Sequence, residues 1–295
     1  MLIRAVEKLS YKNMDQTGYS DKQKNLLENQ RKSLIYGYSV MKKVSLNVKK
    51  VRFKKQLLYL HMGAIHSFSE AILKLIETRP IYDKAAEVIM RSIIELYINI
   101  SFIYAGRNQK NAFIFLIDST QDKIDFACKH RKFWKKYPKW KLAFGDTILS
   151  YSDWNKFIDE KEKELKNILK KYKYKIPKKI PDIRGRAIIF DNYLKKIGMM
   201  KEYKSMEKNY VLFYKYFSQI AHLTISGLDR FVFTDKNNSL HMIIDGKTED
   251  IERIVIVTHQ WYIGLLKFFS KQFDVYVKDE FKSLENMYIT EIKKS

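Results

Sequence analysis

YDKAAEVIMRSIIELYINISFIYA, residues 82–105, is apolar on almost every side of a helical wheel. A helix of that kind in a soluble protein belongs at the centre of a bundle rather than on its surface. The segment before it, QLLYLHMGAIHSFSEAILKLIE (residues 56–77), is amphipathic instead. Leu57, Leu60, Ala64, Phe68, Ala71, Ile72 and Leu75 fall close to the three-and-four spacing of a core-facing stripe. Pro80 separates the two and suits the first turn of the second.

Further helices follow from the same rules. Ser20 and Asp21 offer an N-cap and an acidic first turn for a helix to about Val48. Others are expected at 111–136, from Asp153 to Lys171, from Asp182 to about Lys196 with Gly198 as its stop, and at 201–223. The last spans about 248–273. The run YKYKIPKKIPD, holding Pro177 and Pro181, interrupts the pattern as a linker or loop. Only residues 230–246 change period: RFVF, a polar TDKNNS turn, then LHMII, which fits a small β-hairpin or an irregular loop. The expected fold is therefore all-α, a multi-helix bundle with that one exception. Its organisation reads as a polar N-terminal segment (1–20), a single helical-bundle domain (21–280) with a basic insertion at about 129–181, and a charged C-terminal tail (281–295). No internal repeat is visible.

Composition supports this and narrows the function. Only 10 Gly and 4 Pro occur in 295 residues, whereas hydrophobic residues make up 46%; such a chain can bury a core and lacks the punctuation of β-rich folds. A single cysteine, Cys128, excludes an intrachain disulfide and suits a reducing, cytoplasmic compartment. No secretory signal is read at the N-terminus. The longest apolar stretch, Ile254 to Phe269, is interrupted by His259, Gln260 and Lys267, so no membrane span is expected. The formal charge of +23 arises from 56 basic against 33 acidic residues. A low-GC coding bias would enrich Lys without selection for function, but it would enrich Glu as well. The imbalance therefore points to a polyanionic partner.

Two segments together carry a resemblance. Arg91-Ser-Ile-Ile-Glu95 and Tyr214-Lys-Tyr-Phe-Ser218-Gln-Ile-Ala-His222, followed by Gly227-Leu228, resemble a widespread bacterial family of helical proteins of unknown function. In that family an Arg-x-x-x-Glu helix precedes a Tyr-x-x-x-Ser-x-x-x-His helix. The resemblance covers roughly Lys54 to Phe273 and implies the helical fold. A looser likeness is to the helical ribonuclease domains of bacterial toxin and antiviral defence systems, which use an Arg-x(4 to 6)-His motif. Neither His61 nor His222 has an arginine at that spacing, which argues against such a ribonuclease site at either; Arg253 and His259, with five residues between them, do have it.

Candidate chemistry concentrates in three places. The first is interior: Arg91 and Glu95 sit in a helix that should be buried, where charges need partners. Ser218 and His222, with Tyr214 one turn earlier, are the natural supply. The set is expected to be a structural polar network; a hydrolase using Arg91, Glu95 and His222 is the alternative. The second is basic: Lys49, Lys50 and Arg52 lie in an acid-free run, MKKVSLNVKKVRFKK, from Met41. The third is Lys129 to Lys141, where Lys129, Arg131, Lys132, Lys135, Lys136 and Lys139 interleave with Trp134 and Trp140, and with Phe133 and Tyr137. Cations for a backbone and rings for bases are the two components of single-stranded nucleic-acid binding. His66 and Glu70, four apart, could share a ligand, but His61 is five from His66 and poorly aligned, so a third ligand is lacking; no metal is expected, and no cofactor motif is present. The leading expectation is a nucleic-acid-associated helical protein that binds single-stranded RNA or DNA, RNA foremost, as part of a bacterial defence or toxin module; the alternative is a non-enzymatic scaffold that binds a protein partner or a second copy.

Overall fold

The computed structural model describes residues 19–45, 51–78, 83–106, 108–137, 151–172, 179–200, 205–222, 232–234, 240–242 and 248–293. In chain order these form α1 (Asp21–Ser45), α2 (Phe53–Glu77), α3 (Asp83–Tyr104), α4 (Lys110–Lys136), α5 (Tyr151–Tyr172), α6 (Ile183–Lys196), α7 (Met206–Asn209), a π-helical segment (Tyr210–Tyr214), α8 (Lys215–Ala221), β1 (Val232–Thr234), β2 (Leu240–Met242), α9 (Thr248–Gln272) and α10 (Lys278–Lys293). The fold is all-α. Among the described residues, strand structure is confined to the antiparallel pair β1 and β2, in which Phe233 faces His241. Most of the polar N-terminal segment, and the linker around Pro177, lie outside the described residues.

Local signals set several of these boundaries. At the start of α1 the backbone N–H of Gln23 donates to Ser20 Oγ at 3.2 Å while Ser20 N–H donates to Gln23 Oε1 at 3.0 Å, a reciprocal capping box. Asp182 caps α6 by accepting from Gly185 N at 2.7 Å. Gly198, at φ 73, ends it: the N–H groups of Gly198 and Met199 return to the carbonyls of Lys195 and Leu194, the Schellman arrangement that favours glycine.

Contacts divide the chain into two compact units. One comprises 1–51, 58–97 and 211–295; the other comprises 52–57 and 98–210. In the first, α1 packs against α9 and α10, and Leu26, Leu27, Leu58, Met62, Tyr262 and Phe269 are all fully buried. Tyr262 explains Gly37: a Cβ there would overlap the tyrosine hydroxyl, which instead meets His66 Nδ1 at 2.8 Å. In the second unit α4 and α5 form a helical hairpin with Ala127, Trp154 and Ile158 at its centre. There Arg186 of α6 donates to Asn99 Oδ1 at 2.6 Å and pairs with Asp118. Buried Asp191 accepts from Ser205 Oγ and from the first backbone N–H groups of α7.

The structure corrects two expectations. Of the expected α2 stripe Leu57 and Ile72 are buried, but Leu60 is 64% exposed and Ala64, Phe68, Ala71 and Leu75 are only half-buried. Leu58, Met62, Ile65, Ile72 and Ile76 face inward with His61, His66 and Ser69. The segment is apolar enough for two stripes, and counting the histidines as polar selects the wrong one. The C-terminal segment read as a charged tail belongs to the helix α10, anchored by buried Phe281 and Leu284, three apart on one face. No described helix is long and apolar enough to cross a membrane.

Candidate functional site

α3 carries a charge at each of four successive i+4 positions within the first unit: Asp83, Glu87, Arg91 and Glu95. Side chains four apart share a helix face, so the most apolar of the described helices bears one continuous polar row. Glu87, Arg91 and Glu95 find partners on other elements. Arg91 Nη2 donates to the Tyr214 hydroxyl at 3.0 Å, and that hydroxyl donates to Glu95 Oε2 at 3.3 Å. The Arg91 guanidinium lies 5.1 Å from the centre of the Tyr214 ring. One turn earlier, Glu87 is completely buried and is paired by Arg253 of α9. Arg253 also donates to Asp250 Oδ1 at 3.0 Å and to the Tyr216 hydroxyl at 2.8 Å. Lys84 closes the row, 2.8 Å from Asp83 and 2.9 Å from Asp250.

The electrostatics are those of a paired network with a slight acidic excess. Four carboxylates (Asp83, Glu87, Glu95, Asp250) face three cations (Lys84, Arg91, Arg253), one net negative charge and no surplus positive charge to hold a phosphate. Burial opposes the charged form of Lys84, but hydrogen bonds to Asp83 and Asp250 and the nearby Glu87 outweigh it, so its pKa is raised. Burial raises the pKa of Tyr214, helped by Glu95 and opposed by Arg91. The phenol therefore stays protonated and serves as donor and acceptor between the two charges. Both tyrosines sit where the π segment hands over to α8, a wide turn of the kind that offsets residues from regular helical register.

Ser218 and His222 are not part of this constellation. Among the described residues neither makes a side-chain hydrogen bond, and His222, in the turn after α8, is exposed. The side chain that reaches Arg91 and Glu95 is Tyr214, the last residue of the π segment, rather than a residue of α8. His66 lies 3.7 Å from Glu70 but is committed to Tyr262 on its other nitrogen, a core role. A separate open groove of about 690 Å³ lies between α1 and α10, with Glu28 and Asp279 set against Lys32 and Lys282.

The basic segments resolve unevenly. Lys49, Lys50, Lys139 and Trp140 lie outside the described residues, and Arg52 is exposed. On α4, Lys129, Lys132, Lys135 and Lys136 are exposed, whereas Arg131 is turned toward α5 and donates to Asn155 Oδ1 at 2.7 Å. Trp134 is half-buried and packs against the Ala127, Trp154 and Ile158 cluster; it anchors the hairpin. The exposed rings are Phe126, Phe133 and Tyr137, at 55%, 44% and 39%. Reasoning from the sequence singles out the tryptophans and misses Phe126 and His130. Their signal is available in the spacing 126, 130, 133, 137, one stripe on a helix.

No curated protein and no solved structure matches the chain. The family model of DUF5677, a family of unknown function, matches residues 55–240, from Lys55 near the start of α2 to Leu240, the first residue of β2. The match takes in most of α2, all of α3 to α8, and both tyrosines of the network, while Asp250 and Arg253 lie beyond it. Because it covers more than half of the chain, the protein belongs to the DUF5677 family of unknown function.

Proposed function

We propose that the protein is a nucleic-acid-associated, cytoplasmic helical protein whose phosphate-contacting surface is the C-terminal end of α4. The observation that carries this reading is the run from Phe126 to Lys141, which contains no acidic residue and on which Lys129, Lys132, Lys135 and Lys136 are exposed. Clustered cations on one helix end displace counterions from a phosphate backbone, the dominant contribution to nucleic-acid affinity. The net charge of +23 adds long-range attraction for a polyanion. The single cysteine supports the cytoplasmic location. The internally paired network on α3, with no surplus positive charge, supports a structural role for Arg91 and Glu95, leaving binding to the surface.

The test is a titration of fluorescently labelled single-stranded RNA and DNA oligomers against the full chain across a salt series. Binding should weaken as salt rises. Replacing Lys129, Lys132, Lys135 and Lys136 together by Ala should flatten the slope of log K against log salt by about 3, at roughly 0.7 per phosphate contact on single strands. Absence of binding at low salt to either oligomer removes the reading.

A further inference from the structure

The rings at the C-terminal end of α4 form two close pairs: exposed Phe126 with half-buried His130, centroids 4.1 Å apart, and exposed Phe133 with exposed Tyr137, 5.0 Å apart. The exposure of Phe126, Phe133 and Tyr137 leaves an apolar face open beside the lysines just described. Lys136 Nζ lies 5.2 Å from the centre of the Tyr137 ring. The core side of the hairpin is filled by Trp134 and Trp154; Phe126 and His130 also lean on Trp154 of α5, at 6.2 and 5.5 Å between centroids, and Phe133 and Tyr137 are the rings left for a partner. From residue 126 to residue 137 the stripe runs about 16 Å at ~1.5 Å per residue, room for roughly four nucleotides of a single strand.

We propose that this stripe is a stacking track for unpaired nucleobases, so that the protein selects single strands over duplexes. The proposal rests on the nucleic-acid reading above and gives it a substrate class. Charge complementarity chooses the occupant. A second copy of the chain would bring the same lysines against one another, whereas a single strand presents phosphates to the cations and flat base faces to the rings. A duplex hides those faces in its own stack and offers the lysines its phosphates alone. Phe133 and Tyr137 lie among the lysines and carry most of the contact; Phe126 and His130 extend the track toward Asp122 and Asp125, where the surface is no longer uniformly basic.

The experiment compares the full chain with three double variants at Phe133 and Tyr137 by fluorescence anisotropy. The probes are a twelve-nucleotide uridine RNA, its thymidine DNA counterpart and a blunt RNA duplex of equal length. F133A with Y137A should weaken single-strand binding about tenfold or more while leaving the salt slope unchanged, because stacking is independent of counterion release. F133L with Y137L, which keeps apolar area without a ring, should lose as much. F133W with Y137F should retain binding. Circular dichroism melts confirm that each variant is folded. Equal binding of duplex and single strand, or wild-type affinity in the leucine variant, overturns the stacking track while leaving phosphate binding in place. No binding of any probe by the wild-type chain overturns both. Loss of a dimer on sedimentation of the alanine variant, without loss of RNA affinity, overturns the track and reassigns the stripe to self-association.

Discussion

Glu87 is a carboxylate with no exposed surface, and its stability depends on Arg253. Removing one partner of a buried pair leaves the other charged and desolvated, at a cost of about 3 kcal/mol or more. Lys84 Nζ remains 3.9 Å from Glu87 and Arg253 is itself partly exposed, so Arg253→Met should destabilise the protein by about 2 kcal/mol in urea denaturation, and adding Glu87→Gln should recover part of the loss. Tyr214→Phe, which removes a hydroxyl between two half-buried charges, should cost only about 1 kcal/mol. The reverse order would show that the network depends on Tyr214 instead. His259 gives a second residue-scale expectation. It is buried, lies 3.0 Å from Gln30 Oε1, and burial pushes its pKa down from 6.5 to about 3. The folded protein thus binds a proton here less readily than the unfolded chain. Its contribution to stability is complete above about pH 6.5 and is lost as pH falls toward about 3, by up to about 1.4 kcal/mol per pH unit. Denaturation midpoints measured from about pH 7.5 to about pH 4 should show that slope, and His259→Asn should reduce it.

At the scale of the element, α2 shows how a helix is recognised more easily than it is oriented. Its bounds follow from periodicity and Pro80, but apolar side chains on both sides of the wheel leave its rotation open. The packed faces of its neighbours select Leu58 and leave Leu60 outside. Leu58→Ala should accordingly cost about 2 to 5 kcal/mol through the cavity it leaves, and Leu60→Ala should stay within about 0.5 kcal/mol; comparable losses would contradict this orientation. α4 shows the same limit. Its basic and aromatic composition is plain in the sequence, but the hairpin with α5 decides that Trp134 turns inward while Phe133 and Tyr137 stay outside. On α3 the converse holds: the row Asp83, Glu87, Arg91, Glu95 is written in i+4 spacing and is legible in the sequence, yet only Arg91 and Glu95 stand out against an otherwise apolar run.

For the whole molecule, a charge of +23 makes the folded state repel itself. Raising salt from low to moderate concentration should raise the melting temperature while weakening the proposed RNA binding, because screening relieves the repulsion and weakens the attraction alike. A melting temperature that falls with salt would indicate that the ion-pair network on α3 outweighs surface repulsion. The sequence by itself determined the all-α class, most helix bounds, the caps at Ser20 and Asp182, the stop at Gly198 and the position of the hairpin, since these depend on neighbours within a few residues. It also determined that Arg91 and Glu95 need partners, because the cost of a buried charge is independent of topology. Only the tertiary structure decided that the partner is Tyr214 rather than His222, that Glu87 is held by Arg253, and which aromatic rings of α4 face outward. Those outcomes depend on where helices distant in sequence cross and which face each turns to its neighbour, and no spacing along one helix encodes the angle at which another meets it.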